Sequence, residues 1–126
     1  MPKKPQEETE ISVNLSSEST LVVTDNSGTR KMPLVEEKYT IGRETDNSIC
    51  LNSDFVSRHH AILVKVKQRK GPMTYRILDG NIDGKPSKNG IVLNALSQVS
   101  SHDLQDGDIV TFAPEVHILY LAPRAI

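Results

Sequence analysis

The feature that most constrains the fold of this chain is a succession of short segments in which apolar residues alternate with polar ones. Tyr39 and Ile41 alternate with Lys38 and Thr40, for example, which is the period of a β-strand with one buried face. Roughly ten such segments follow one another at intervals of about eight to twelve residues, and no window carries a helical stripe of apolar residues. The sequence therefore predicts an all-β domain, a β-sandwich of two sheets whose loops carry the function.

Turn and edge signals place individual strands. Thr20–Thr24 precedes Asp25-Asn26-Ser27-Gly28, whose residues tolerate the backbone conformations of a hairpin turn. Pro33 lacks a backbone N–H, so the segment Arg30–Val35 is predicted to lie at a sheet edge. The predicted strands are Thr20–Thr24, Arg30–Val35, Glu37–Gly42, Ile49–Leu51, His60–Lys67, Met73–Asp79, Gly90–Asn94, Asp108–Phe112 and Val116–Leu121.

The length and composition fit one domain. The chain has 126 residues, of which 37% are hydrophobic. Met1–Ser19 is rich in Pro, Glu, Ser and Thr and offers only Ile11, Val13 and Leu15 for burial. We therefore predict a flexible N-terminal leader over residues 1–19 and a folded domain over residues 20–126.

The charge balance excludes several classes of partner. Fifteen Lys and Arg against sixteen Asp and Glu give a net charge of −1, which argues against broad binding to nucleic acid or to an anionic membrane. The apolar runs are too short for a membrane helix, and the N-terminus lacks the apolar core of a signal peptide. Cys50 is the single cysteine and cannot form an internal disulfide or a cysteine-based zinc cluster. A cytoplasmic protein is the simplest prediction.

Polar loop segments between the predicted strands suit a phosphate ester. They are Gly42-Arg43, Ser57-Arg58-His59-His60 and Ser87-Lys88-Asn89-Gly90. An arginine presents a planar fork of N–H donors that matches two phosphate oxygens, and a serine hydroxyl or a loop N–H can satisfy a third. A phosphorylated side chain carries about −1.5 to −2 charges at neutral pH, so a few local cations suffice and the whole protein need not be basic.

These segments, in this order, resemble the forkhead-associated (FHA) domain. The resemblance rests on Gly42-Arg43, on Ser57 through His60, on Ser87 through Asn94, and on Leu104-Gln105-Asp106-Gly107-Asp108. It extends from about Leu21 to Leu121. The family implies a sandwich of about eleven strands in two sheets that binds phosphothreonine peptides through the loops at one end.

The resemblance also implies roles for individual residues. Arg43 is similar to the arginine that grips the phosphate, Ser57 to the hydroxyl donor, and Asn89 to the amide that binds the peptide backbone. Arg58 matches a position that often adds a phosphate contact, and Ser87 and Lys88 line the same loop as Asn89. The positions with a supporting, architectural role are Gly42, His60 and Gly90.

Two departures from the family pattern affect the predicted loops. Many members follow Val-Asn with glycine, whereas Asn94 is followed here by Ala95, so the turn is expected to differ if that glycine has a positive φ. The loop before Ser87 is lengthened by Gly80–Pro86. Both changes leave the predicted phosphate ligands in place and alter the surface around them.

Metal sites and catalysis have weaker support in the sequence. His59 and His60 are adjacent, so a strand would point them to opposite faces, and no metal site is predicted there. Asp79–Gly84 imitates the start of a calcium-binding EF-hand loop, but Gly90 stands where the bidentate glutamate belongs. No nucleophile elbow or P-loop occurs, so neither an enzyme nor a cofactor is predicted.

The sequence thus predicts a non-catalytic adaptor that binds a phosphothreonine-containing protein of a Ser/Thr kinase pathway. The alternative is an interaction domain of the same fold that binds an unphosphorylated partner or self-associates. A calcium-regulated module using Asp79, Asn81 and Asp83 and, more distantly, a hydrolase are further alternatives. Phosphorylation of Thr9 or Thr20 would also allow self-association through the leader.

Overall fold

The computed structural model describes residues 18–124, and these form a sandwich of two β-sheets without helices. This confirms the predicted all-β class and the implied number of about eleven strands. No helix within the described range is long and apolar enough to span a membrane. The strands are β1 Ser19–Asp25, β2 Gly28–Leu34, β3 Lys38–Gly42, β4 Ile49–Cys50, β5 Ala61–Val66, β6 Thr74–Asp79, β7 Ile91–Leu93, β8 Ser97–Val99, β9 Ser101–Asp103, β10 Ile109–Ala113 and β11 Val116–Leu121.

One sheet has the order β2-β1-β11-β10-β7-β8 and the other the order β4-β3-β5-β6-β9. The described strands pair antiparallel except β3 with β4, which run parallel. The alternating positions of each strand point between the sheets: Leu21 and Val23 in β1 are fully buried, as are Ile41 in β3 and Ile118 in β11. The core therefore lies between the two sheets and leaves the loops at both ends free for other roles.

The β1–β2 hairpin confirms the predicted turn, because Asp25 pairs with Gly28 and Pro33 lies in the edge strand β2. Asp25 is almost fully buried and accepts hydrogen bonds from the backbone N–H of Ser27 (2.8 Å) and of Asn52 (2.9 Å) and from Arg30 (3.2 Å). Burial alone would raise the pKa of the Asp25 carboxyl, but these donors hold it below its ordinary value. The hairpin is thereby fixed to the segment that follows β4.

The predicted leader lies outside the described residues apart from its last two. Ser19 belongs to the sandwich: it begins β1, is buried, and its hydroxyl lies 2.6 Å from that of Tyr120. The first strand thus starts one residue before the predicted strand Thr20–Thr24, because a buried partner fixes Ser19. Thr9 lies outside the described range, whereas Thr20 pairs with Pro33 and Leu121 inside the sheet.

A buried group of hydroxyls closes the end of the sandwich where β1 and β6 begin. We call Ser19, Thr74 and Tyr120 the hydroxyl cluster. Thr74 Oγ1 donates to the carbonyl oxygen of Leu104 at 2.6 Å and lies 3.1 Å from the Tyr120 hydroxyl. Each of these polar groups therefore has a protein partner in the interior, as buried hydroxyls require.

The turn between β7 and β8 keeps a left-handed backbone without glycine. Asn94 has φ 52° and Ala95 φ 59°. Alanine in place of glycine therefore does not remove the positive φ at position 95. Asn94 Oδ1 accepts from the N–H of Ile109 (2.8 Å) and Asn94 Nδ2 donates to Asp108 (3.0 Å), which holds the turn against β10. These bonds offset the strain at Ala95.

Candidate functional site

Loops from both halves of the five-stranded sheet meet at the end of the sandwich opposite the hydroxyl cluster. They are the β3–β4 loop (43–48), the β4–β5 loop (51–60) and the β6–β7 loop (80–90). Between them lies a cleft of about 660 Å³. Its lining residues are Arg43, Asp54, Phe55, Val56, Ser57, Arg58, His59, Asn81, Lys85, Pro86, Lys88 and Asn89. The structure thus brings Arg43, Ser57, Arg58, Lys88 and Asn89 together, as the sequence pattern predicts.

Arg43 is held at the floor of the cleft by its own backbone and by its side chain. Its N–H donates to the carbonyl oxygen of Ser57 (3.0 Å), and its Nε donates to that of Val56 (3.0 Å). Its two terminal nitrogens have no acceptor among residues 18–124, so they are the donors that an anion in the cleft would meet. The geometry of such a guanidinium fork matches two oxygens of one phosphate.

Gly42 permits this arrangement because no side chain fits at its position. A Cβ there would lie 2.2 Å from the carbonyl oxygen of Arg58. Any other residue would push the β4–β5 loop away from Arg43. The supporting role expected for Gly42 therefore has a steric basis in the structure.

Asn47 connects two of the loops, and sequence reasoning missed it. Its Nδ2 donates to the carbonyl oxygens of Glu44 and of Arg58, each at 2.8 Å. The side chain is buried, and its Oδ1 has no partner within the described part of the chain. Asn47 therefore fixes the β3–β4 loop against the backbone that carries Ser57 and Arg58.

His60 is fully buried beneath the cleft and links the β4–β5 loop to the β6–β7 loop. Its Nδ1 accepts from the N–H of Ser57 (3.1 Å) and its Nε2 lies 2.8 Å from the carbonyl oxygen of Gly90. A carbonyl only accepts, so the proton sits on Nε2 and the ring is neutral. Burial lowers the pKa of His60, and the Gly90 carbonyl and the charge of Asp79 oppose that shift in part.

The hydroxyl of Ser57 is oriented by a neighbouring loop. Its Oγ accepts from the backbone N–H of Lys88 at 3.0 Å. Because that bond uses a lone pair, the hydroxyl proton remains free to be donated into the cleft. Asn89 is fixed nearby, since its Nδ2 donates to the carbonyl oxygen of Phe55 at 2.8 Å.

Ser87 does not join the other predicted site residues in the cleft. Its hydroxyl donates to Asp79, its N–H donates to the same carboxylate at 3.2 Å, and its Oγ accepts from the N–H of Gly90 at 2.8 Å. The hydroxyl is thus engaged by atoms of its own loop. Ser87 therefore closes the loop in which Lys88 and Asn89 lie.

Cationic side chains dominate the rim of the cleft. The Arg58 side chain is 75% exposed, and its Nε lies 4.0 Å from a carboxylate oxygen of Glu44. Lys85 and Lys88 are also exposed and line the same cleft. Sequence reasoning missed Lys85, and the only signal for it was its place in the lengthened Gly80–Pro86 loop.

The Gly80–Pro86 loop uses its own oxygens to hold its shape. Asn81 Oδ1 accepts from the N–H of Asp83 (2.9 Å) and of Lys85 (3.0 Å), while both oxygens of Asp79 are engaged by Ser87. Two of the three side chains proposed for calcium are therefore already occupied by internal donors. No group of three or more His, Cys, Asp and Glu residues that could hold a metal ion occurs in the described chain.

The remaining residues of interest have structural partners. His59 is partly exposed and its Nε2 lies 3.0 Å from Oδ1 of Asp46, whereas His60 is buried, so the two rings do not share a site. Cys50 is half-buried, and its Sγ donates to the carbonyl oxygen of Arg43 at 3.3 Å. Both contacts join the β3–β4 loop to a neighbouring segment, the β4–β5 loop in the first case and β4 in the second.

Comparison with known families agrees with this geometry. The model of the FHA domain matches residues 39–113, which is more than half of the chain. The protein sll1895 of Synechocystis sp. is 32% identical over 102 residues, which are 81% of this chain and 14% of that protein. The chain therefore spans only a small part of this relative.

Solved structures share this fold. The crystal structure of the Slr1951 protein from Synechocystis sp. is 39% identical, with a TM-score of 0.79, and the match covers 85% of this chain and 100% of that one. An FHA domain studied for its phosphothreonine-dependent interactions is 28% identical, with a TM-score of 0.64 and coverage of 82% and 95%. The FhaA FHA domain, solved in complex with the intracellular domain of Rv3910, is 26% identical, with a TM-score of 0.63 and coverage of 81% and 98%.

Proposed function

The chain belongs to the FHA domain family, and from that membership we propose that it binds phosphothreonine-containing segments of partner proteins. The observation that carries the proposal is the pairing of Arg43 and Ser57 in one cleft. The terminal nitrogens of Arg43 find no acceptor in the described chain, and Ser57 retains a free hydroxyl proton because Lys88 already donates to its oxygen. Both groups are donors directed at one place, which suits an anion.

These contacts suggest a role for each residue of the site. Arg43 and Ser57 bind the phosphate, and Arg58 and Lys88 add charge at the rim. Asn89 binds the backbone of the extended peptide through the amide atoms that its bond to Phe55 leaves free. Ser87 passes from the ligand-binding set to the supporting set, which also holds Gly42, His60 and Gly90.

Preorganised donors make a small cleft effective. The hydrogen bonds of Asn47 and His60 fix the loops before a ligand arrives, so less conformational entropy is lost on binding. Affinity is expected to be moderate, because a few charge-assisted hydrogen bonds must offset the ordering of a flexible peptide. Added salt weakens it.

FHA domains are interaction modules, and we propose an adaptor role in a cytoplasmic Ser/Thr kinase pathway without catalytic activity. The relatives support this: one 28% identical domain has phosphothreonine-dependent interactions, and the FhaA domain is complexed with an intracellular domain. Phosphorylation of Thr9, with binding to a second copy, remains a proposal for the leader. It predicts a higher mass by light scattering after phosphorylation, and an unchanged mass would contradict it.

Arg43→Ala tests the proposed function. We expect it to abolish binding of a phosphothreonine peptide in calorimetry, because the charged hydrogen bonds to phosphate are lost, while the thermal melt changes little. Arg69→Ala is the matched control, since Arg69 is exposed in the β5–β6 connection and does not line the cleft. Equal binding by Arg43→Ala and the parent would refute the phosphate assignment.

Phosphatase treatment separates the proposal from its alternative. A natural partner captured by the domain should be released when its phosphate is removed. Retention after complete dephosphorylation would favour an interaction domain for an unphosphorylated partner. Screening an oriented phosphothreonine peptide library would then identify the preferred sequence.

A further inference from the structure

The cleft carries more positive charge than one phosphate requires. Four cationic side chains, those of Arg43, Arg58, Lys85 and Lys88, line it together with the carboxylate of Asp54. A phosphorylated threonine brings about −1.5 to −2 charges. Glu44 is 4.0 Å from Arg58 and offsets part of one cation. With Asp54 counted, these lining side chains carry a charge of +3. A charge of about +1 to +1.5 therefore remains in the cleft after a phosphate is bound to Arg43 and Ser57, before the partial offset by Glu44.

Lys85 contributes to this excess positive charge from the Gly80–Pro86 loop, which is closed by its own hydrogen bonds. Its N–H donates to Asn81 Oδ1 (3.0 Å) and its carbonyl oxygen accepts from the N–H of Asn81 (2.9 Å). Gly80 has φ 103°, and a Cβ there would lie 2.6 Å from the Lys85 carbonyl oxygen, so the loop closes only over a glycine. The backbone of Lys85 is therefore fixed at the rim of the cleft.

The location of these charges is specific, since the chain as a whole has a net charge of −1. A cationic rim on a near-neutral protein favours an anionic ligand at that point and not along the whole surface. Lys85 lines the same cleft as Arg43 and Ser57, so one extended ligand can contact all three residues.

We infer that the partner segment carries a second anionic group near its phosphothreonine and that Lys85 binds it. This inference rests on the proposed function and adds the chemistry of the partner. The second group is a carboxylate of an acidic side chain or a second phosphate, because both present anionic oxygens to an ammonium group.

Calorimetry with matched peptides tests the inference. One phosphothreonine peptide has neutral flanks, and two series place either a glutamate or a second phosphothreonine at successive positions on each side. We expect the parent to bind its best anionic peptide about fivefold more tightly than the neutral one. Lys85→Gln should lose that preference and still bind the neutral peptide normally. Lys67→Gln, which removes an exposed lysine outside the cleft, should keep it.

The outcomes separate the two proposals. A preference that survives in Lys85→Gln, or a parent with no preference, overturns the inference and leaves phosphothreonine binding intact. A failure of every phosphothreonine peptide to bind the parent overturns both. A gain seen with phosphate or with glutamate alone identifies the source of the anion, and in either case it should shrink as ionic strength rises.

Discussion

At one end of the sandwich the hydroxyl cluster of Ser19, Thr74 and Tyr120 is buried and bonded within itself and to Leu104, whereas at the other end Arg43 and Ser57 direct donors into an open cleft. Both ends hold polar groups on loops and strand ends of the same two sheets. At the first end every hydroxyl is paired with another protein group. At the second end, Arg43 and Ser57 keep hydrogen-bond donors that have no protein acceptor among the described residues. Polar groups therefore stabilise the protein at one end, and at the other end they are available for the proposed recognition of a phosphate.

His60 is a buried polar group that also fixes the loops of the cleft. Its removal should therefore affect both stability and binding, and should have the largest effect. His60→Ala leaves the Ser57 N–H and the Gly90 carbonyl without their buried partner and opens a cavity. We expect a loss of about 3 kcal/mol in the free energy of unfolding, together with weaker phosphopeptide binding. Urea denaturation and calorimetry measure the two effects, with His60→Gln as the milder variant. An unchanged melt would contradict the bracing role.

A change within the hydroxyl cluster should affect stability alone. Thr74→Val keeps the shape of the side chain but removes its bond to Leu104 at 2.6 Å, in a residue that is 2% exposed. The expected loss in the free energy of unfolding is about 2 kcal/mol. Phosphopeptide affinity, measured well below the melting temperature, should not change. A parallel loss of affinity would show that the two ends are coupled.

The contribution of His60 to stability can be separated from that of the carboxylates, because the two kinds of group titrate in different pH intervals. Its folded pKa lies below the ordinary value of 6.5, so the unfolded chain takes up the proton first and stability falls as pH drops below about 6.5. The expected slope is about 1.4 kcal/mol per pH unit at most, the limit for the uptake of one proton. Asp25 and Asp103 have lowered pKa values, and their contribution is lost only below about pH 3.8.

Denaturation curves between pH 7 and pH 5 measure this slope. This interval lies above the pH at which carboxylates titrate. His60→Gln removes the titrating ring and should flatten the curve over that interval. The same slope in the parent and in the variant would assign the effect to another group.

The smallest expected effect is a gain in stability away from the cleft. Ala95 has φ 59°, and a glycine there relieves the strain of the left-handed backbone. Ala95→Gly should raise the free energy of unfolding by about 1 kcal/mol. Thermal denaturation checks the gain, and binding should be unaffected. A fall in stability would mean that Ala95 makes packing contacts that outweigh its strain.

Much of the fold was readable from the sequence because most strands alternate strongly. Tyr39 and Ile41 face the core as predicted, and Pro33 lies at an edge. The strands β8 and β9 were not predicted, because Ser97–Val99 and Ser101–Asp103 are short, largely polar and without a buried residue. Their strand character comes from pairing with β7 and β6, which local sequence does not encode.

The residues of the candidate site were easier to predict than the orientations of their side chains. The ordered motifs led to Arg43, Ser57 and Asn89, and the structure gathers them in one cleft. The direction of the Ser87 hydroxyl depends on Asp79 eight residues away, and the role of Asn47 depends on carbonyls of two loops. Such contacts follow from how the loops close, so spacing alone cannot reveal them.

The self-closed Gly80–Pro86 loop has a consequence for how binding specificity can be altered. Its shape is fixed by Asn81 and at its base by Asp79, whereas Ile82 at its tip is 68% exposed and Asp83 is also exposed. Changes at the tip should therefore leave Arg43, Ser57 and the other proposed phosphate ligands undisturbed. The tip is a natural position for grafting and laboratory selection, where new partner preferences can be installed without rebuilding the domain.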